Sequence, residues 1–115
     1  MSNPTRYYSS LQEHKVAKMI DGNPVANSGG GKWKKGDVVQ YDASMLIECK
    51  TTVSDRTTFS IKKEWIDKVR SDAFSNRIEN TAIAFSYDSE CKDMYFVIDE
   101  KLMRFLVEKL IEENK

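Results

Sequence analysis

Apolar residues recur at helical spacing in three separate stretches of the chain. From residue 9 or 10 to about residue 20, Leu11, Val16, Met19 and Ile20 fall near a 3.6-residue period, with a serine placed as N-cap. Asp21-Gly22-Asn23-Pro24 ends that helix with turn chemistry. A second stripe, Trp65, Ile66, Val69 and Ala73, predicts a helix over about 61–74. A third, with Leu102, Phe105, Leu106 and Leu110 on one side, predicts a helix over roughly 100–113. Between them the period shortens to that of strands. Val38-Val39-Gln40-Tyr41 and residues 45–51 flank the tight turn Tyr41-Asp42-Ala43-Ser44 and predict a hairpin. Residues 81–86 and 94–98 predict two more strands, joined by a charged turn over 88–93. The order α-ββ-α-ββ-α belongs to a mixed α/β domain.

Size and composition narrow the reading. With 115 residues, the expectation is one domain over 1–115. The 40% of hydrophobic residues suffices for a modest core and argues against disorder. No apolar run approaches the roughly 20 residues of a membrane span, and MSNPTRYYSS lacks the apolar stretch of a secretory signal. Cys49 and Cys91 form no CxxC pair and read as free thiols, which fits a cytoplasmic protein. Cys49 is expected in the core and Cys91 exposed in a turn. His14, the sole histidine, builds no metal cluster or triad and reads as a surface residue.

The formal net charge is zero, yet the charge is segregated. Residues 1–36 carry a net of +4, residues 37–50 −2, residues 51–77 +2 and residues 78–115 −4. A basic front therefore encloses an acidic knot at Asp37, Asp42 and Glu48, and the acid excess lies in the tail. Such a pattern fits a polyanion bound on one face, and it fits ordinary solvated helices equally well.

The knot also holds the residues with chemical potential. Side chains alternate along a strand, so Glu48 and Lys50 share one face while Ile47 and Cys49 take the other. Asp37 opens the preceding strand, close to the cross-strand partner of Glu48 or Lys50 if the hairpin pairs tightly. Two carboxylates and an ammonium would then converge at one end of a small sheet. Hard divalent cations such as Mg²⁺ seek clustered oxygen ligands of this kind. A plain surface salt bridge is the competing account for any isolated E-x-K.

Gly36-Asp37, ten intervening residues, then Glu48-Cys49-Lys50 resembles the PD-(D/E)xK nuclease signature, with glycine where that family often has proline. The glycine loop Ser28-Gly29-Gly30-Gly31 followed by basic residues, Glu13 in the first helix, and Ser60-Ile61-Lys62-Lys63 are similar to archaeal-type Holliday junction resolvases and their phage relatives. The resemblance implies a restriction-endonuclease-like core, a central mixed sheet flanked by helices. It further implies metal-dependent phosphodiester hydrolysis of DNA, leaving a 5′-phosphate and a 3′-hydroxyl. Asp37 and Glu48 would be metal ligands, with the Cys49 backbone carbonyl as a third. Lys50 would be the catalytic lysine and Glu13 an auxiliary acid near the metal. Mg²⁺ is the implied ion, with Mn²⁺ able to substitute.

Glu13 has a rival role, because Ser10-Leu11-Gln12-Glu13 reads as a capping box. It also shares a face with Val16, Ala17 and Ile20, which points it towards the core. Lys32, Lys34 and Lys35 around Trp33, with Ser28, Gly29 and Gly30 ahead of them, are placed to hold a DNA backbone beside the metal. A solvated loop with its tryptophan folded back is the alternative. Lys62, at the start of the second helix, joins this DNA-binding set through the resemblance. A chain this short has no room for a separate sequence-reading domain, which favours branched DNA. Cutting two strands calls for a homodimer, formed through residues 94–98 or the final helix. A nuclease acting on flaps, single strands or duplex within a larger complex, and a non-catalytic nucleic-acid-binding domain, are the alternatives. Zero net charge departs from the generally basic resolvases, and a phage origin would suit the small size.

Overall fold

In the computed structural model, residues 5–25 and 37–115 are described. The elements run α1 (Thr5–Ile20), β1 (Asn23–Pro24), β2 (Asp37–Gln40), β3 (Met45–Cys49), α2 (Lys63–Ser75), β4 (Asn80–Ser86), β5 (Met94–Val97) and α3 (Glu100–Glu113). The strands form one open sheet in the order β1-β2-β3-β4-β5. Only β3 and β4 pair in parallel, so the sheet is mixed. A parallel pair needs a crossover connection, and α2 supplies it.

Strand alternation divides the core into two layers. Val39, Leu46 and Ile83 pack with Val69 and Ala73 of α2. Val38, Ile47, Ala82 and Ala84 pack with Val16 and Ala17 of α1. Each helix thus covers one face of the sheet. The third helix covers little: of its residues only Leu102 is buried, although Asp99 caps it by accepting a 2.9 Å bond from the Leu102 amide.

Several boundaries differ from expectation for identifiable reasons. Helix α1 begins at Thr5, so Ser10 lies inside it and the capping box does not exist. The Ser10 carbonyl instead sits 2.7 Å from His14 Nδ1, and His14 is exposed as expected. Met19, assigned to the apolar stripe, is 56% exposed. Helix α1 ends where Asp21 takes a positive φ of 56° and the Gly22 amide reaches back to the Ala17 carbonyl at 2.8 Å. A β-carbon on Gly22 would stand 2.6 Å from the Val39 carbonyl oxygen, so only glycine permits this approach. That close approach turns Asn23–Pro24, read from sequence as turn alone, into a short edge strand on β2. Cys91, expected exposed, is buried, because its turn folds back with a φ of 55°.

Candidate active site

The tight turn after β2 sets the register of the hairpin. The Gln40 side-chain carbonyl accepts from the Asp42 amide at 2.7 Å, and the Ser44 amide donates to the Tyr41 carbonyl at 3.0 Å. With that turn in place, Gln40 pairs with Met45, Val39 with Leu46 and Val38 with Ile47. Asp37 then falls directly opposite Glu48. Both carboxylates share the α2 face of the sheet with Val39 and Leu46, two residues along each strand. Asp37 is 2% exposed and Glu48 5%. Surface salt-bridge residues would be solvated, and these are not.

Lys50 continues past the end of β3, its amide donating to the Ala84 carbonyl at 2.9 Å. Its ammonium stands 3.8 Å from Glu48 Oε2 and 4.5 Å from the centre of the Trp65 ring on α2. The indole face attracts the cation and limits its solvation, so the ammonium is held beside the carboxylates. Lys62 reaches the same ring at 5.7 Å and lies 3.9 Å from Glu64, with both of those charged side chains well exposed.

Glu13 is buried on α1, and α1 packs against the opposite face of the sheet from Asp37 and Glu48. It nonetheless belongs to the same electrostatic neighbourhood. The Cys49 thiol is pushed well above its ordinary range, first by burial and then by the negative fields of Glu13, Asp37, Cys91 and Glu48. Three acids on three elements thus act on one sulfur at the end of β3. Cys49 itself is half-buried against the α1-side core, the inward position expected of it.

Sequence reasoning overlooked Gln12. Fully buried, it donates from Nε2 to the Lys50 carbonyl at 2.9 Å and to the Ala84 carbonyl at 3.2 Å. One amide therefore ties α1 to the end of β3 and to β4, and it fixes the backbone that carries Lys50. A polar residue four positions before Val16, on the apolar side of the helix, was the available signal. Trp65 was recognised as core, but its second role beneath Lys50 depends on the β3–α2 packing.

Ser28, Gly29, Gly30, Lys32, Lys34 and Lys35 lie outside the described residues, as do Trp33 and Gly36. Among the described residues, no group of three His, Cys, Asp or Glu side chains is arranged around a single metal position. The donor chemistry nevertheless suits Mg²⁺, which commonly binds through one or two carboxylates and completes its shell with water and substrate phosphate. Asp37 and Glu48 are hard oxygen donors on adjacent strands, and the Cys49 carbonyl lies one residue further along. Among the described residues, no helix is long and apolar enough to cross a membrane. No family model, curated protein or solved structure matches the chain.

Proposed function

We propose that the protein is a Mg²⁺-dependent DNA endonuclease of the PD-(D/E)xK type, structure-selective in the manner of a Holliday junction resolvase. The observation that carries this reading is the burial of Asp37 and Glu48 directly opposite each other, with the Lys50 ammonium 3.8 Å from Glu48. Carboxylates side by side across two strands repel, and burial strengthens the repulsion. A fold that needed only stability would place apolar residues there. A divalent cation offsets this charge, and Asp37 and Glu48 are the residues that would hold it, with the Cys49 carbonyl. When bound, Mg²⁺ polarises a phosphoryl oxygen and acidifies bound water. Lys50 offers N–H donors to the attacking water or to a phosphoryl oxygen, where negative charge builds in the transition state. Gln12 holds the Lys50 backbone in place. Glu13, buried on α1, adds its negative field at this end of β3.

The partner that completes a two-strand cut is a second copy of the chain, bound through α3. Met103, Leu106, Val107 and Leu110 form an exposed apolar strip along this helix. Its first half carries Lys101 and Arg104 against Glu100, and its second half Glu108, Glu112 and Glu113 against Lys109. Antiparallel pairing of two such helices sets the basic half against the acidic half. Phe74, 85% exposed at the end of α2, borders the trough that separates α2 from α3 and extends the apolar surface.

Cleavage of labelled four-way junctions, flaps, single strands and duplexes tests the assignment. With Mg²⁺, cutting of branched DNA is expected, and Lys50→Ala lowers its rate roughly 10²–10³-fold. If every substrate stays intact, the enzyme reading fails. If Lys50→Ala cuts normally, the site is wrong.

A further inference from the structure

The sheet face that carries Asp37 and Glu48 continues past Lys50 as a surface of aromatic rings. Lys50 stands beside Phe85, because its amide extends the β3–β4 ladder onto Ala84. Phe85 pairs across β4–β5 with Tyr95. Alternation keeps all of these on the α2 face, shared with Ile83. The rings are in contact: Phe59 stacks on Phe85 with centroids 5.0 Å apart, Tyr95 lies 5.7 Å from Phe85, and Tyr87 lies 5.6 Å from Tyr95. Tyr95 is 50% exposed and Tyr87 37%.

A cationic wall stands next to the rings. The loop after β3 and the start of α2 enclose an open groove of about 350 Å³ lined by Arg56, Phe59, Lys62 and Trp65 along with three threonines. Arg56 belongs to both features. Its backbone amide donates to the Tyr87 carbonyl at 2.8 Å and its Nε to Thr52 Oγ1 at 3.0 Å. The exposed guanidinium is thereby anchored alongside the aromatic cluster.

An aromatic cluster that only closed a core would turn its rings inward, whereas these present two half-open tyrosines beside two cations. Successive nucleobases stack on aromatic faces whatever their identity, and basic side chains track the backbone between them. From β3 to β5 is two strand spacings, about 10 Å. That distance matches roughly three nucleotides at about 3.4 Å each. Paired bases in a duplex have their faces covered by neighbours and cannot stack in this way.

We propose that this surface binds unpaired nucleotides, with one or two bases stacked on Tyr95 and Tyr87 and the adjoining phosphates held by Arg56 and Lys62. The proposal rests on the nuclease reading for its purpose: it places an unpaired segment, as in a flap or at a junction centre opened on binding, next to the bond that Lys50 addresses. Branch selection then comes from exposed bases, without reading sequence.

The test is binding without metal, which separates it from catalysis. In EDTA, fluorescence anisotropy is measured with a labelled oligothymidylate of about 12 nucleotides and with a blunt duplex of equal length. The single strand is expected to bind at least tenfold more tightly. Tyr95→Leu, which keeps bulk but removes the ring, weakens single-strand binding about tenfold, while Tyr95→Phe restores it. Arg56→Ala weakens binding and flattens its salt dependence. Circular dichroism confirms that each variant is folded. Equal affinity for both DNAs, or full affinity in folded Tyr95→Leu, overturns the proposal. Selective binding by a protein that cuts nothing upholds the surface and rejects the nuclease reading.

Discussion

Two regions of this molecule break the ordinary rule of polar outside and apolar inside, and they break it in opposite directions. At the end of the β2–β3 hairpin, Asp37 and Glu48 are buried face to face. Along α3, Met103, Leu106, Val107 and Leu110 are turned to solvent. Burying neighbouring carboxylates and exposing hydrocarbon each work against stability. The hairpin is held by its surroundings: ladder pairing sets Asp37 opposite Glu48, α2 packs over Val39 and Leu46 of the same face, and Gln12 ties down the Lys50 carbonyl beyond β3. Among the described residues, Asp99 caps helix α3 and Leu102 is its one buried side chain. The proposed chemistry would draw on the first departure, and the proposed second copy of the chain would cover the second.

The contrast is open to direct attack. Leu46, fully buried on β3 beneath α2, and Leu110 are both leucines on the apolar stripe of their element. Leu46→Ala should destabilise the protein by about 2–5 kcal/mol in denaturant titration. Leu110→Glu should leave the dilute protein within about 0.5 kcal/mol of wild type, yet convert a dimer to a monomer in sedimentation. Loss of stability in Leu110→Glu without any change of mass would mean that α3 packs on its own domain.

A smaller effect sharpens the other side. Relieving one of two opposed carboxylates by Asp37→Asn should raise the melting temperature in EDTA by a few degrees, since such repulsion is worth roughly 0.2–1 kcal/mol. Added Mg²⁺ should raise the melting temperature of wild type and leave that of Asp37→Asn almost unchanged. An equal metal response in both proteins would remove Asp37 from the ligand set.

The smallest effect reads the field itself. The Cys49 thiol is held protonated by burial and by the neighbouring acids, so alkylation at pH 8.5 should be slow. Neutralising Asp37 or Glu48 should speed it a few-fold, as mapped by mass spectrometry. The unfolded thiol ionises near pH 8.5 while the folded one does not, so stability should decline as pH rises through that value. An alkylation rate indifferent to both substitutions would place the acids too far from Cys49 to act together.

Much of the architecture was legible along the chain. The three helices, the β2–β3 hairpin and the β4 and β5 strands follow from periods of 3.6 and 2 broken by turn residues, because those periods record which side of each element meets the core. The Asp37–Glu48 juxtaposition was half legible: the turn over 41–44 made pairing at that level expected, and only the register settled Glu48 over Lys50 as the partner. The capping box failed because four residues matching a local pattern say nothing of how far the helix extends before them. The exposed face of α3 was only half legible, since the final helix was one of two candidate interfaces. An apolar stripe states that a helix has something to cover and is silent on whether its own domain supplies it.

Sequence alone therefore established every element but β1, their order and the residue types able to carry chemistry, all of which depend on neighbours within a few positions. What required the folded chain was everything set by contacts between distant segments. Gln12 meeting Lys50 and Ala84, Lys50 meeting Trp65, and Tyr95 lying across from Phe85 join residues far apart in the chain. Such meetings follow from strand register and layer packing, which are collective outcomes of the whole core and leave no mark at any single position.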